Sequence, residues 1–164
     1  MANKKITDLT ELTAAASDDY LEIVDTSANT SKKISRENLT GWHFLTTPLT
    51  STAWNNPTFS TTAKTKIDLS AVFGVPAGVK AVMVKIRAND SASPSNIGLY
   101  AGVGANNVDS NFSVTARPAG LPSGYYSEAS GICACDANGD IYFQCSASGT
   151  NTMQVRIQIF GYWL

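Results

Sequence analysis

The chain has 164 residues, 43% of them hydrophobic, and a formal net charge of −1. That length holds one ordinary domain, or one small domain with an appendage, and the apolar fraction supplies a real core. A near-neutral balance without a stripe of Lys and Arg excludes a phosphate-tracking nucleic-acid binder, and no apolar run approaches bilayer length.

From the N-terminus, Lys4 and Lys5 have no apolar stretch behind them, so the start does not read as a secretory signal, and a soluble, cytoplasmically made protein is expected. Residues 1–40 hold twelve of the chain's 25 charged side chains, and the rest is sparsely charged. Within them, Tyr20 to Asp25 and Lys32 to Ser35 read as two strands around the polar turn TSANTS. A two-stranded ribbon is marginal in water by itself. Ile6, Leu9, Leu12, Leu21, Ile23, Val24, Ile34 and Leu39 are too few for an independent core and too many for a disordered tail, so residues 1–45 read as a docking element.

Residues 46–66, TTPLTSTAWNNPTFSTTAKTK, are rich in Ser, Thr and Asn, and Pro48 and Pro57 exclude a helix, so they read as an extended linker. From residue 67 the pattern becomes short strands: Val79 to Asp90, Asn96 to Val103, Asn111 to Ala116, Tyr125 to Asp136, Asp140 to Ala147 and Thr152 to Trp163. No helical period competes beyond residue 45. Short strands at this spacing predict an all-β fold over residues 67–164, an antiparallel β-sandwich of jelly-roll type. In the last strand Met153, Val155, Ile157 and Ile159 form one apolar face. The opposite face runs Gln154, Arg156, Gln158 and then turns aromatic at Phe160 and Tyr162, which marks those two as candidate subunit-contact residues.

Asn138-Gly139 is a strong hairpin signal, and a turn centred there places Asp136 opposite Ile141, Ala134 opposite Phe143 and Ile132 opposite Cys145. Cys133 and Cys135 then face away from Cys145, and residues two apart on one strand are poorly placed to bridge, so three free thiols are expected. A metal site lacks a fourth ligand, since the only histidine is His43 in the connector region. His43 has no catalytic motif around it, Asp136 and Asp140 are explained by the turn they flank, and GVGANN at Gly102 is followed by no helix. No catalytic, cofactor or metal site is therefore expected, and the chain reads as a non-enzyme.

The order ITDL, small-residue spacer, DDYLEIVDTS, polar turn, TSKKISRENL resembles the N-terminal segment of virion appendages of tailed bacteriophages, notably tail fibres and head fibres. The resemblance covers residues 4–40. It implies virion anchoring through Ile6, Leu9, Leu21, Ile23, Lys32, Lys33, Ile34, Arg36 and Leu39, and location in the virion after synthesis in the host cytoplasm. KIDLSAVFGVPAGVKAVMVKI and QVRIQIFGYW look like small sandwiches at the exposed ends of phage structural proteins, where trimers are usual. No heptad stalk, collagen-like repeat or β-helical shaft is present, which departs from the long-fibre pattern and implies a short appendage or capsid decoration. Three functions follow: a structural virion protein docked to capsid or tail; a receptor-binding module with Tyr100, Tyr125, Tyr126 or Trp54 stacking on host-surface glycan; and a small glycan hydrolase, for which no carboxylate pair is evident.

Overall fold

The computed structural model describes residues 20–25, 30–35, 41–93 and 98–164. The chain forms two compact units, Met1–Gly41 and Trp42–Leu164. In the first, β1 (Tyr20–Asp25) and β2 (Thr30–Ser35) pair antiparallel, with Leu21 opposite Ile34, Glu22 opposite Lys33 and Ile23 opposite Lys32. The expected ribbon is present, its second strand starting two residues earlier than the sequence pattern indicates. Ile6, Leu9, Arg36 and Leu39 lie outside the described residues.

In the second unit the chain runs through β3 (Trp42–Phe59), β4 (Thr65–Ile67), α1 (Leu69–Phe73), β5 (Ala81–Asp90), β6 (Tyr100–Gly104), β7 (Val114–Ala116), β8 (Ser127–Ala134), β9 (Ile141–Ser146) and β10 (Met153–Trp163). Two four-stranded antiparallel sheets result, ordered β3-β10-β5-β8 and β4-β9-β6-β7, in a sandwich-like arrangement. The pairing is nested: the first strand of the unit lies beside the last, β4 beside β9, β5 beside β8 and β6 beside β7. Alternation supplies the core between the sheets. Val82, Val84 and Ile86 of β5 and Met153, Val155, Ile157 and Ile159 of β10 are fully buried, and so are Ala101, Val103, Ile141 and Phe143 of the second sheet. A fully buried side chain of this size stabilises by roughly 1.5–3 kcal/mol, so these two faces dominate the unit's stability.

Residues 46–66 are not a linker. β3 pairs along the whole of β10, and its Leu49, Trp54 and Phe59 pack on the core, the Trp54 ring edge-on to Phe143 at 4.9 Å. Eighteen residues of β3 run beside eleven of β10, with register shifts that absorb the excess, so no clean alternation shows in the sequence. Pro48 and Pro57 are tolerated because β3 is an edge strand, whose outward N–H groups need no ladder partner. Beyond it, Thr62 N donates to the Cys145 carbonyl at 3.0 Å and β4 pairs with β9.

Two further expectations change. A single helical turn, α1, follows Asp68, whose carboxylate accepts from Ala71 N at 2.9 Å and from Ser70 Oγ at 2.8 Å; five residues are too few to display a period. The Asn138-Gly139 turn does not close a hairpin. β8 pairs with β5 and β9 with β4 and β6, so the segment carries the chain from one sheet to the other. Asp136 organises that passage: its carboxylate accepts from Asn138 N, Asp140 N and the Tyr142 hydroxyl, each at 2.9 Å. Gly139 has φ 88°, and a Cβ there would meet Gly78 N at 2.9 Å, so the glycine that signals a hairpin serves a sheet-crossing bend instead.

At the far end of β5 the buried Asp90 carboxylate accepts from Ser148 N at 2.8 Å, Ser148 Oγ at 2.5 Å, Thr152 Oγ1 at 3.1 Å and Ala92 N at 3.0 Å. These bonds tie the turn before β10 to the end of β5. Because β3 covers one whole edge of β10, the fragment 42–164 is expected to unfold cooperatively in urea with β-type circular dichroism. A fragment starting at Ser60 loses Leu49, Trp54 and Phe59 from the core, and its midpoint is expected to fall sharply or its transition to vanish. Equal midpoints for the two fragments would show that β3 adds nothing.

Candidate interaction surface

The outer face of the β3-β10-β5-β8 sheet is set by one irregularity. Along β10, Ile159 lies opposite Val84, but the next partner pair is Gly161 with Met83, followed by Tyr162 with Val82 and Trp163 with Ala81. Phe160 is the extra residue of a β-bulge, and the alternation slips by one position. Tyr162 therefore stands opposite the buried Val82 and packs against the core, its ring stacked on His43 at 5.0 Å. Phe160 and Tyr162 consequently do not share an outer face, and Tyr162 is partly buried against the core.

The slip turns other residues outward. Two rows cross the sheet at its Trp42 end: Phe44, Gly161, Met83 and Ile132, and then Trp42, Trp163, Ala81 and Ala134. Phe44 is 75% exposed, Ile132 60% and Trp163 45%. Gly161 supplies no side chain, and a Cβ there would meet the His43 carbonyl oxygen at 2.7 Å, so the backbones of β3 and β10 come close only because this residue is glycine. An apolar groove of about 240 Å³ lies here, with Trp42, Phe44, Met83 and Ile132 as its lining. Trp42 is held in place by Phe44, stacked at 6.1 Å, and by Trp163 at 5.5 Å.

Toward the other end the same face is polar. Gln158 lies opposite Lys85, and Lys85 opposite Ser130; the next such row reads Asn55, Arg156, Arg87 and Glu128. Glu128 pairs with Lys85 at 2.7 Å and, more distantly, with Arg87 Nε at 3.7 Å. The Lys85 bond holds the Glu128 carboxyl below the usual carboxylate range.

The three tyrosines proposed for stacking do not form one platform. Tyr100 is on the other sheet, against Phe112 at 5.1 Å; Tyr125 is 65% exposed in the turn before β8; Tyr126 carries the Arg87 guanidinium at 3.5 Å and donates to Gln154 Oε1 at 2.5 Å. Trp54 belongs to the core. Phe112 itself lies over Gly102, where a Cβ would meet its ring at 2.6 Å. Next to it the buried Lys64 donates to the Val108 carbonyl at 3.2 Å and to that of Asn111, with its ammonium 4.4 Å from the Phe112 ring; burial pushes its pKa down. Lys64 thus fastens the loop between β6 and β7, a role with no signal in the sequence because its acceptors are backbone carbonyls.

Asp136 and Asp140 are occupied by the bend: Asp140 accepts from Leu69 N at 3.3 Å and pairs with Lys66 at 3.0 Å. Among the described residues no group of three His, Cys, Asp or Glu side chains is placed to hold a metal ion. Cys133, Cys135 and Cys145 are free thiols, as expected, although the register behind that expectation is not the observed one. Cys133 lies opposite Val82 and is buried in the core with Cys145. Burial raises all three thiol pKa values, that of Cys135 to about 12.

Scanning the chain against protein-family models gives no match, and no curated protein matches it. Since the thiolate is the reactive form, the folded protein at pH 8 is expected to resist a disulfide reagent for hours. Three equivalents should react at once in denaturant. Rapid labelling of the folded protein would show that the core around Cys133 and Cys145 opens.

Proposed function

We propose that this chain is a structural virion protein of a tailed bacteriophage. Its N-terminal unit docks to capsid or tail, and its second unit is a jelly roll displayed as a homotrimer. Three readings support this. Residues 4–40 follow the anchor-like order of pieces, with β1 and β2 paired where that order places two strands. The nested pairing of β3 with β10, β4 with β9, β5 with β8 and β6 with β7 is that of one long hairpin rolled into two sheets, the topology of a jelly roll. The exposed apolar rows offer a surface that copies of the chain can bury.

The observation that carries the proposal is the contiguous apolar set Trp42, Phe44, Met83, Ile132 and Trp163 on a sheet face that is otherwise polar. These residues replace Tyr162 as the subunit contact. The set includes Trp42, the first residue of the second unit.

Anchoring and assembly are then separable. Phe44→Asp with Ile132→Asp puts two charges into the contact, each costing roughly 3–5 kcal/mol when desolvated without a partner, and the sedimentation mass is expected to drop from trimer to monomer with circular dichroism unchanged. Replacing Lys32, Lys33 and Arg36 by Glu is expected to reduce incorporation into particles while the trimer persists, because rim charges govern encounter and register. A wild-type chain that sediments as a monomer at micromolar concentration, with incorporation of the triple Glu variant unchanged, contradicts the proposal.

A further inference from the structure

The sequence holds a single Asn-Gly step, Asn138-Gly139, in the bend that carries the chain from β8 to β9. Asparagine is a thermolabile residue, and glycine is its most reactive successor, because no Cβ hinders the approach of the following backbone nitrogen to the side-chain amide. In the folded chain that nitrogen is engaged. Gly139 N donates to the Asp136 carbonyl at 3.0 Å, and the N–H groups of Asn138 and Asp140 on either side both donate to Asp136 Oδ1 at 2.9 Å. Asn138 is exposed, but Gly139 is buried, with the backbone nitrogens of Gly78 and Val79 at 2.9 and 3.0 Å from where its Cβ would stand. Three consecutive N–H groups are thus committed to one residue, and the peptide between 138 and 139 cannot turn toward the Asn138 amide without breaking the Gly139 bond.

We propose that Asn138-Gly139 is a modification site gated by folding: it stays intact in the native bend, converts to isoaspartate once the bend opens, and the converted chain does not regain the fold. The only co-reactant is water. The Gly139 nitrogen loses its proton and attacks Asn138 Cγ; the new N–Cγ bond forms, the bond from Cγ to the side-chain nitrogen breaks, and that nitrogen leaves as ammonia with the proton. Water then opens the cyclic imide at either carbonyl, giving aspartate or isoaspartate without any change of oxidation state. Isoaspartate routes the main chain through the former side chain and adds one methylene before Gly139. That displaces the nitrogen that has to reach the Asp136 carbonyl, at a residue with no room to move against Gly78 and Val79. Either product also adds a carboxylate to a bend where Lys66 is paired with Asp140 and the Asp136 carboxylate already accepts three hydrogen bonds. None of this rests on the subunit contact.

The test holds the full-length chain at mildly alkaline pH in buffer and, in parallel, in denaturing guanidinium chloride, and maps both by peptide mass spectrometry with isoaspartate separated from aspartate by chromatography. Conversion at Asn138 is expected to be at least about tenfold faster in denaturant, since a site closed by native hydrogen bonds reacts through its open population. On dilution from denaturant, the fraction of chains that refold, read by circular dichroism, is expected to fall in step with the isoaspartate formed. Asn138→Gln is the control, because its longer side chain has to close a larger ring; at an exposed position it is expected to fold like wild type and to keep refolding after the same incubation. The rate comparison needs only the wild-type chain. Equal conversion at Asn138 in the folded and denatured chain, or none in denaturant, would overturn the gating. Full refolding of chains that carry isoaspartate, or the same loss of refolding in Asn138→Gln, would overturn the consequence for the fold.

Discussion

No side chain fits at position 161, and the character of the outer sheet face depends on that. β10 is an inner strand, paired with β3 on one side and β5 on the other. From Met153 to Ile159 it alternates regularly into the core. If the alternation continued, Gly161 would point inward, and Phe160 and Tyr162 would point outward together. The bulge at Phe160 turns Tyr162 to the interior, brings the β10 backbone against the His43 carbonyl and sends Trp163 to the outer face. One extra residue thus converts the end of a sheet into a grooved apolar surface.

The two ends of that face show different kinds of incompleteness. At the Gly161 end, aromatic and aliphatic side chains remain in water, a cost that burial against another surface removes at roughly 25 cal/mol per Å². At the Arg156 end, Glu128 pairs with Lys85 and Arg87, and the buried Nε–H groups of Arg87 and Arg156 are left without a hydrogen-bond partner. Several polar groups elsewhere are closely matched: Asp90 accepts four hydrogen bonds, Asp136 accepts three side-chain bonds within its bend, and Lys64 is held by two carbonyls and a ring.

What was legible in the sequence was whatever period two could express. Strands β5 to β10, the inward set from Met153 to Ile159 and the β1-β2 ribbon follow directly from alternation and turn residues. The rest failed for identifiable reasons. β3 lost its alternation to register shifts and carried two prolines that an edge strand tolerates, so it resembled a linker. Asn138-Gly139 has the chemistry of a hairpin but joins strands of different sheets, and partner choice between sheets is a long-range property that no local signal encodes. The alternation misled at Tyr162, which a one-residue slip turns toward the core, while Phe44, Met83 and Ile132 became neighbours only through pairing across four strands. Arg87 and Arg156, 69 positions apart in the numbering, were each visible as the polar member of an alternating strand, but not as a pair.

The central claim, that copies of the chain cover the groove over Gly161, can be read from tryptophan fluorescence. Trp54 is in the core, and Trp42 and Trp163 flank the groove. In a Trp54→Phe chain the remaining emission reports the groove alone. Acrylamide quenching of that emission is expected to be weak at tens of micromolar and to rise several-fold on dilution, or on adding Phe44→Asp, as the subunits separate. Strong quenching that is the same at every concentration would mean that Trp42 and Trp163 face water throughout, and would contradict the claim.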